Sequence, residues 1–309
     1  MSIVVKSDVI MDECVFLAGA SGMRTRQNDR TANQGGYETV NAVRDVTLST
    51  YSFGAKPMDI DAWSEVEGVY EDTDAGTFGF LIKDPIHQSV TVADGGLQGY
   101  MLGVQYGVSG FGNGTPTYVL GQFFKPQSTT RRRFTPRTRP IGTPSVFRGG
   151  SPVTVGVAAG NIAFSAAPVF VTFVADTSQA LTSITTGAST VLNFADGTGM
   201  VAATSIGQRV YVTGVSGTAA TTLNSIAHVV TAKGATSLTV STVTTGLSGT
   251  GGTAAKYPQA DEALTAAFSF YVPVHFASDN LEFDIVLPGD VEDRIVAGPN
   301  VTLIEVREA

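Results

Sequence analysis

Thr190-Val191-Leu192, Arg209-Val210-Tyr211-Val212, His228-Val229-Val230 and Leu238-Thr239-Val240 are short runs rich in β-branched residues. Such runs favour strands, where branched side chains pack well on a pleated surface. Gly, Asn and Ser separate them, as turns require. Between Asp176 and Lys256 only Asp196, Arg209 and Lys233 carry charge. This reading makes residues 176–256 a small β-domain with little catalytic chemistry on offer. It is inserted into a discontinuous β-sandwich scaffold formed by residues 1–175 and 257–309. The fold class expected is all-β and mainly antiparallel, a sandwich or barrel scaffold with one short helix.

Outward from the insert, the helix is predicted over Asp59–Asp72. Ile60, Trp63, Val66 and Tyr70 recur at three- and four-residue steps and line one face. Asp59 can cap the first turn, and Asp61 lies near the positive end of the helix dipole. Trp63 is expected to anchor that face in the core. Strands are expected at Val15-Phe16-Leu17, within Tyr37–Tyr51, at Phe78–Ile82 (ended by Asp84-Pro85), Ser89–Val92, Tyr100–Tyr106 and Tyr118–Phe124. The residues following Leu17 are polar and read as an exposed loop. Pro140-Ile141-Gly142-Thr143-Pro144 reads as a turn before a strand beginning at Ser145-Val146-Phe147. Val153–Val157 and Ile162–Phe164 suggest a hairpin, and Phe170–Val174 leads into the insert. Ala266–Phe276, Leu281–Leu287 and Val301–Val306 complete the strands.

The chain has 309 residues, 43% hydrophobic and 15% charged, with a net charge of −8. Such a size suits two domains, or one with an insertion. Low charge suits a surface devoted to protein contacts, and net acidity argues against sequence-independent binding to nucleic acid. Cys14 is the single cysteine, so no disulfide forms within one chain. His87, His228 and His275 stand far apart and without an i, i+4 pair, so each reads as packed or solvated. No run of about 18 apolar residues suggests a membrane span, and no apolar secretory stretch follows Met1. Synthesis in the cytoplasm is the expectation.

Catalysis is not expected. There is no G-x-S-x-G elbow, no H-E-x-x-H helix and no phosphate-cradling glycine loop followed by lysine. Gly19-Ala20-Ser21-Gly22 lacks the long apolar helix of a dinucleotide site. Glu65/Glu67 and Glu71/Asp72/Asp74 could be drafted as acid and base, but a solvated helix face explains them more simply. No cofactor or metal is expected. The charged constellation that needs explaining is Arg131, Arg132, Arg133, Arg137 and Arg139, with no acid among them. It is read as a candidate subunit interface, since arginine forks onto carboxylates. The competing readings are a strand edge guarded by basic residues and a contact with passing DNA.

Several flanking stretches resemble the distal tail proteins of long-tailed bacteriophages and gene transfer agents. They are the helix with Gly79-Phe80-Leu81-Ile82-Lys83-Asp84-Pro85 after it, and Arg139-Pro140-Ile141-Gly142-Thr143. Tyr271-Val272-Pro273-Val274-His275-Phe276-Ala277-Ser278-Asp279 and the closing Leu303-Ile304-Glu305-Val306-Arg307 complete the set. The resemblance covers roughly residues 35–175 and 262–309, and departs from the family pattern at Leu81, His275 and Ala277. Gly207-Gln208-Arg209-Val210-Tyr211-Val212-Thr213-Gly214-Val215 and Leu223-Asn224 are similar to a small β-domain inserted in many phage structural proteins. The resemblance implies a virion protein at the tail tip, a ring, expected to be a homo-hexamer, joining the tail tube protein to the baseplate hub protein. DNA would pass through its acidic lumen without specific binding, and the insert would face outward. The alternative is a host-surface recognition protein whose insert binds glycan; the scarcity of aromatics there (Phe194 and Tyr211) counts against it.

Overall fold

The computed structural model describes all residues except 1–2, 18, 33–34, 43–46, 102–103, 126–131, 288–293, 299 and 309. The protein is all-β and mainly antiparallel, with strands from Val5–Ile10 to Val301–Glu305 and helix Ile60–Asp72. Cys14–Leu17, Met200–Ala203 and Ala220–Leu223 add three single helical turns. The chain forms two compact units, the first comprising residues 1–89, 139–141 and 269–308 and the second residues 90–138 and 142–268.

In the first unit, the neighbouring strands run in the order Val5–Ile10, Gly79–Ile82, the second half of Leu264–Phe276, Val301–Glu305, Leu48–Phe53 and Ser21–Thr25. Only the first pair is parallel. Phe80, Ile82, Phe270, Val272, Val274 and Leu303 are wholly buried. The alternation in Leu48–Phe53 is the expected period of two, with Tyr51 and Phe53 inward. Tyr51 donates its hydroxyl hydrogen bond to the buried Asp84 carboxylate at 2.9 Å. Asp84 also takes the amides of Ile86 and His87, at 2.8 and 3.0 Å, which closes the Asp-Pro turn.

Helix Ile60–Asp72 matches its sequence pattern. Asp59 Oδ1 accepts from the Ala62 amide at 2.7 Å, and Ala62, Trp63, Val66 and Val69 are buried. Trp63 is 1% exposed, and its ring lies 6.0 Å from that of Phe283. Asp284–Leu287, Ile295–Ala297 and Met58–Asp59 form a separate three-stranded sheet.

In the second unit, a six-stranded antiparallel sheet contains Val104–Tyr106, Gly95–Met101, Thr117–Phe124, Phe170–Phe173 and Ile162–Phe164, with Arg133–Pro136 also on Thr117–Phe124. Its core includes Val119, Phe123 and Phe134, with Phe170 packed against them. Thr177–Thr185, Thr190–Phe194, Ser237–Val240, Ile226–Lys233, Arg209–Thr213 and Thr253–Lys256 close into a barrel in that order. Arg209–Thr213 alternates as its sequence suggests, with Val210 and Val212 inward. Leu192, Met200, Leu223, Val230, Leu238 and Val240 fill the centre with them. Asn224 braces one turn by accepting from the Val215 amide and donating to the Val215 carbonyl, each at 2.8 Å. Closure leaves the barrel no open edge.

Several local expectations are corrected. Val15-Phe16-Leu17 lies in a helical turn, not a strand. The polar residues after it form strands Ser21–Thr25 and Asn28–Ala32 rather than loop. Both faces of those strands are exposed, so alternation could not betray them. Tyr37–Tyr51 holds two strands, Glu38–Ala42 and part of Leu48–Phe53, with Val43 and Val46 outside the described residues. Tyr100–Tyr106 is divided between two strands, and Met101 pairs with Val104. Pro140–Pro144 lies inside strand Arg139–Arg148, where Gly142 at φ 69° lets the chain bend without reversing. Ile162–Phe164 forms its hairpin with Phe170–Phe173 instead of Val153–Val157. Ser165 Oγ accepts the Phe170 amide at 2.8 Å and closes that turn.

Candidate functional site

The five arginines do not share one environment. Arg131 lies outside the described residues. Arg132 and Arg133 are exposed where the chain enters strand Arg133–Pro136. The Arg132 guanidinium lies 4.0 Å from the centre of the Phe123 ring and 5.8 Å from that of Phe111. It also donates to the Ser109 carbonyl at 3.3 Å, so stacking on aromatic faces holds an exposed cation in one place. Arg137 is buried in the second unit, and its amide donates to the Leu120 carbonyl at 2.8 Å.

Arg139 is buried in the first unit. Its Nε donates to both carboxylate oxygens of Glu308, at 2.8 and 3.1 Å, while a terminal nitrogen donates to Ser7 Oγ at 2.6 Å. The other terminal nitrogen also binds Glu308. Only 6% of the Arg139 side chain and 9% of the Glu308 side chain are exposed. This pair ties the start of a long strand to the closing segment. Of the strip, the described surface arginines are therefore Arg132 and Arg133.

A second ionic node, unforeseen from sequence, lies at the root of the barrel. Arg148 donates to Asp176 Oδ1 at 2.6 Å and Oδ2 at 2.7 Å, and to Glu262 Oε1 and Oε2 at 2.9 and 2.8 Å. Burial by itself lowers the proton affinity of the Arg148 guanidinium, but its bonds to the two carboxylates outweigh that and hold it above the ordinary arginine value. Asp176 immediately precedes the barrel, and its amide donates to the Lys256 carbonyl at 2.9 Å. Gln259 carries the clasp onward: its amide donates to Glu262 at 2.6 Å, and its side chain bonds both backbone groups of Arg209, at 2.7 and 3.0 Å. Acids flanking both ends of a charge-poor segment were the signal available in sequence.

The glycine-rich loop Gly110–Gly114 lies against this clasp. Gly112 donates to the Glu262 carbonyl at 3.0 Å and Gly114 to that of Pro258 at 2.8 Å. A Cβ on Gly112 would lie 2.3 Å from the Gln259 carbonyl oxygen, closer than any side chain could be tolerated. Beside it is a cleft of about 440 Å³ lined by Gly107, Val108, Phe111, Gly112, Asn113, Arg209 and Ala260. The lining lacks an acid–base pair.

Three of the helix acids have structural partners. Glu65 accepts the Asp12 amide at 3.1 Å, Glu67 accepts the Trp63 indole at 2.8 Å, and Asp72 lies 3.5 Å from Lys6. Of the histidines, His228 is buried inside the barrel. Its Nε2 donates to the Leu223 carbonyl at 2.9 Å, and Nδ1 meets Thr242 Oγ1 at 2.6 Å. Burial pushes its proton affinity down, more than the Leu223 bond raises it. Among the described residues no group of three His, Cys, Asp or Glu side chains is placed to hold a metal ion. Among them also, no helix is long and apolar enough to cross a membrane. No family model matches this chain, and no curated protein matches it significantly.

Proposed function

We infer that this chain is a structural virion protein, a ring-forming distal tail component that joins the tail tube to the baseplate hub and has no catalytic role. One observation carries the reading. The separated stretches that resemble distal tail proteins converge in one unit: Gly79–Ile82, Val272–Phe276 and Leu303–Glu305 are adjacent strands. Val274 pairs with Phe80 on one side and Glu305 on the other. Arg139, which opens the remaining stretch, binds Glu308 just beyond the last strand. Order and spacing in sequence thus correspond to one sheet, as expected if they encode a shared scaffold.

Exposed sheet edges suit a protomer that completes itself with copies of itself, because a closed ring leaves no edge free. Arg132 and Arg133 remain candidates for a contact between subunits, and the net charge of −8 suits a lumen through which DNA slides without binding. Glycan binding by the insert is less well supported. Phe194 is buried, and Tyr211 is partly covered with its ring against Tyr257, 5.7 Å between centres. The barrel therefore presents no open aromatic platform.

The direct test is the mass of the purified chain in solution together with negative-stain images. A six-fold annulus is expected, alone or with its tube and hub neighbours; a protomer that never assembles under either condition refutes the reading. A second test deletes Thr177–Ala255 and joins Asp176 to Lys256 through a short glycine linker, which their hydrogen bond at 2.9 Å makes feasible. Particles that assemble but no longer adsorb to cells would transfer the weight to host recognition.

A further inference from the structure

The least supported part of the first unit is its ribbon. Asn28–Ala32 pairs with Glu38–Ala42 as a two-stranded sheet. Every described side chain from Ala20 to Asn41 is exposed, including Met23 at 60% and Tyr37 at 78%. Two strands without a packed face are marginal in water, so a covering surface would stabilise this ribbon. Edge strand Ser21–Thr25, its link and this ribbon together expose Arg24, Arg26 and Arg30, with Asp29 and Glu38 among them, and Arg30 lies 3.5 Å from Glu38.

The same unit carries an acidic surface. Clefts of about 410 and 630 Å³ share Tyr70, Asn280, Leu281 and Glu282 and so form one groove between the end of helix Ile60–Asp72 and the segment after Phe276. Glu71, Asp279 and Glu282 are exposed along it, and no lysine or arginine lines it. The groove runs into Phe283 and strand Asp284–Leu287, where Phe283, Ile285, Val286 and Leu287 are each about half exposed. An apolar strand exposed on both faces is a surface built to be covered.

The geometry points to edge strand Ser21–Thr25 and the ribbon of one copy docking in the groove of a second copy, Arg24 and Arg26 against Glu71, Asp279 and Glu282 and Met23 and Tyr37 against the Phe283–Leu287 strip. This rests on the ring reading and supplies its contact. The two surfaces differ, so the contact is heterologous and each copy gives one and receives one, which builds a ring where the rotation between copies closes.

The experiment uses the full chain with two charge reversals, Arg24→Glu/Arg26→Glu on the edge strand and its link and Glu71→Lys/Glu282→Lys in the groove. Trp63 fluorescence confirms that each is folded. Each variant alone is expected to self-associate about 100-fold more weakly or worse, since like charges oppose at the contact. Mixed together, they are expected to assemble as an alternating ring by sedimentation, because native surface meets native and reversed meets reversed. All four substitutions in one chain restore the ring. Assembly of both single-surface variants at wild-type strength overturns the docking while leaving the ring reading standing. Failure of the wild-type chain to assemble, even with its tail neighbours, overturns both.

Discussion

Arg148→Ala removes two hydrogen bonds to Asp176 and two to Glu262, and leaves two carboxylates facing each other across the vacated space. Breaking a fully buried pair costs about 3–5 kcal/mol, because the surviving charge is uncompensated. Here the side chains of Arg148, Asp176 and Glu262 are 17%, 27% and 32% exposed, so water can rehydrate part of the acids. The expected loss is therefore about 2–3 kcal/mol. At roughly 2–4 °C per kcal/mol for a body of this size, the melting transition of the second unit falls by about 5–10 °C. Urea melts followed by circular dichroism give the free energy, and hydrogen exchange gives the location. Protection should fall first in Thr177–Thr185 and Thr253–Lys256, the strands that enter and leave the barrel. Arg148→Lys keeps the charge but cannot fork onto two carboxylates, so it should recover only part of the loss. A cycle with Asp176→Asn should show coupling of at least about 1 kcal/mol. A loss below about 0.5 kcal/mol for Arg148→Ala, a value usual for bland surface positions, would refute the claim that this node holds the barrel root.

Arg139→Ala strands the buried Glu308 carboxylate and should cost about 3–5 kcal/mol by urea denaturation, whereas replacing both partners with apolar residues should cost much less. Gly112→Ala should destabilise by about 1–3 kcal/mol in the same assay, because backbone must move to admit the methyl group. For His228 the folded proton affinity lies below the unfolded one, so its contribution is fully present above about pH 6.5. As pH falls below that point the unfolded chain takes the proton and the folded chain resists, and stability drops by up to about 1.4 kcal/mol per pH unit until the folded pKa is reached. His228→Gln should flatten that part of the pH profile, and a ring-proton NMR titration should show His228 staying neutral below the pH at which an exposed histidine titrates.

What could be read in the sequence depended on whether a pattern was local and one-sided. The barrel runs announced themselves because Val210 and Val212 face a core while Arg209 and Tyr211 do not. The helix did so because Trp63 and Val66 share a face and Asp59 caps the first turn. Strands Ser21–Thr25 and Asn28–Ala32 stayed hidden because neither face is buried, so their residues carry no period. Arg148 was equally silent, since Glu262 lies 114 positions away and only the fold brings them together. The arginine strip misled in the opposite sense. Adjacency in sequence suggested one surface, but Arg137 and Arg139 turn inward and belong to different units.

The distribution of edges and charge explains why so neutral a segment can reside in this chain. A barrel closed by Thr177–Thr185 pairing with Thr253–Lys256 has used every strand edge it owns, so its Thr- and Ser-rich surface needs few charges to discourage edge pairing. Its chain ends meet at Asp176 and Lys256, which lets it be added at one point of a scaffold without separating the strands on either side. Such closed bodies offer copies of themselves no strand edge to pair with. The first unit is arranged the other way, with Ser21–Thr25, the ribbon and Asp284–Leu287 all exposed. If assembly uses these edges, reversing charge there should disturb association while equivalent changes on the barrel surface, such as Thr182→Glu, should leave it untouched. Loss of assembly from barrel-surface reversals alone would break that division of labour.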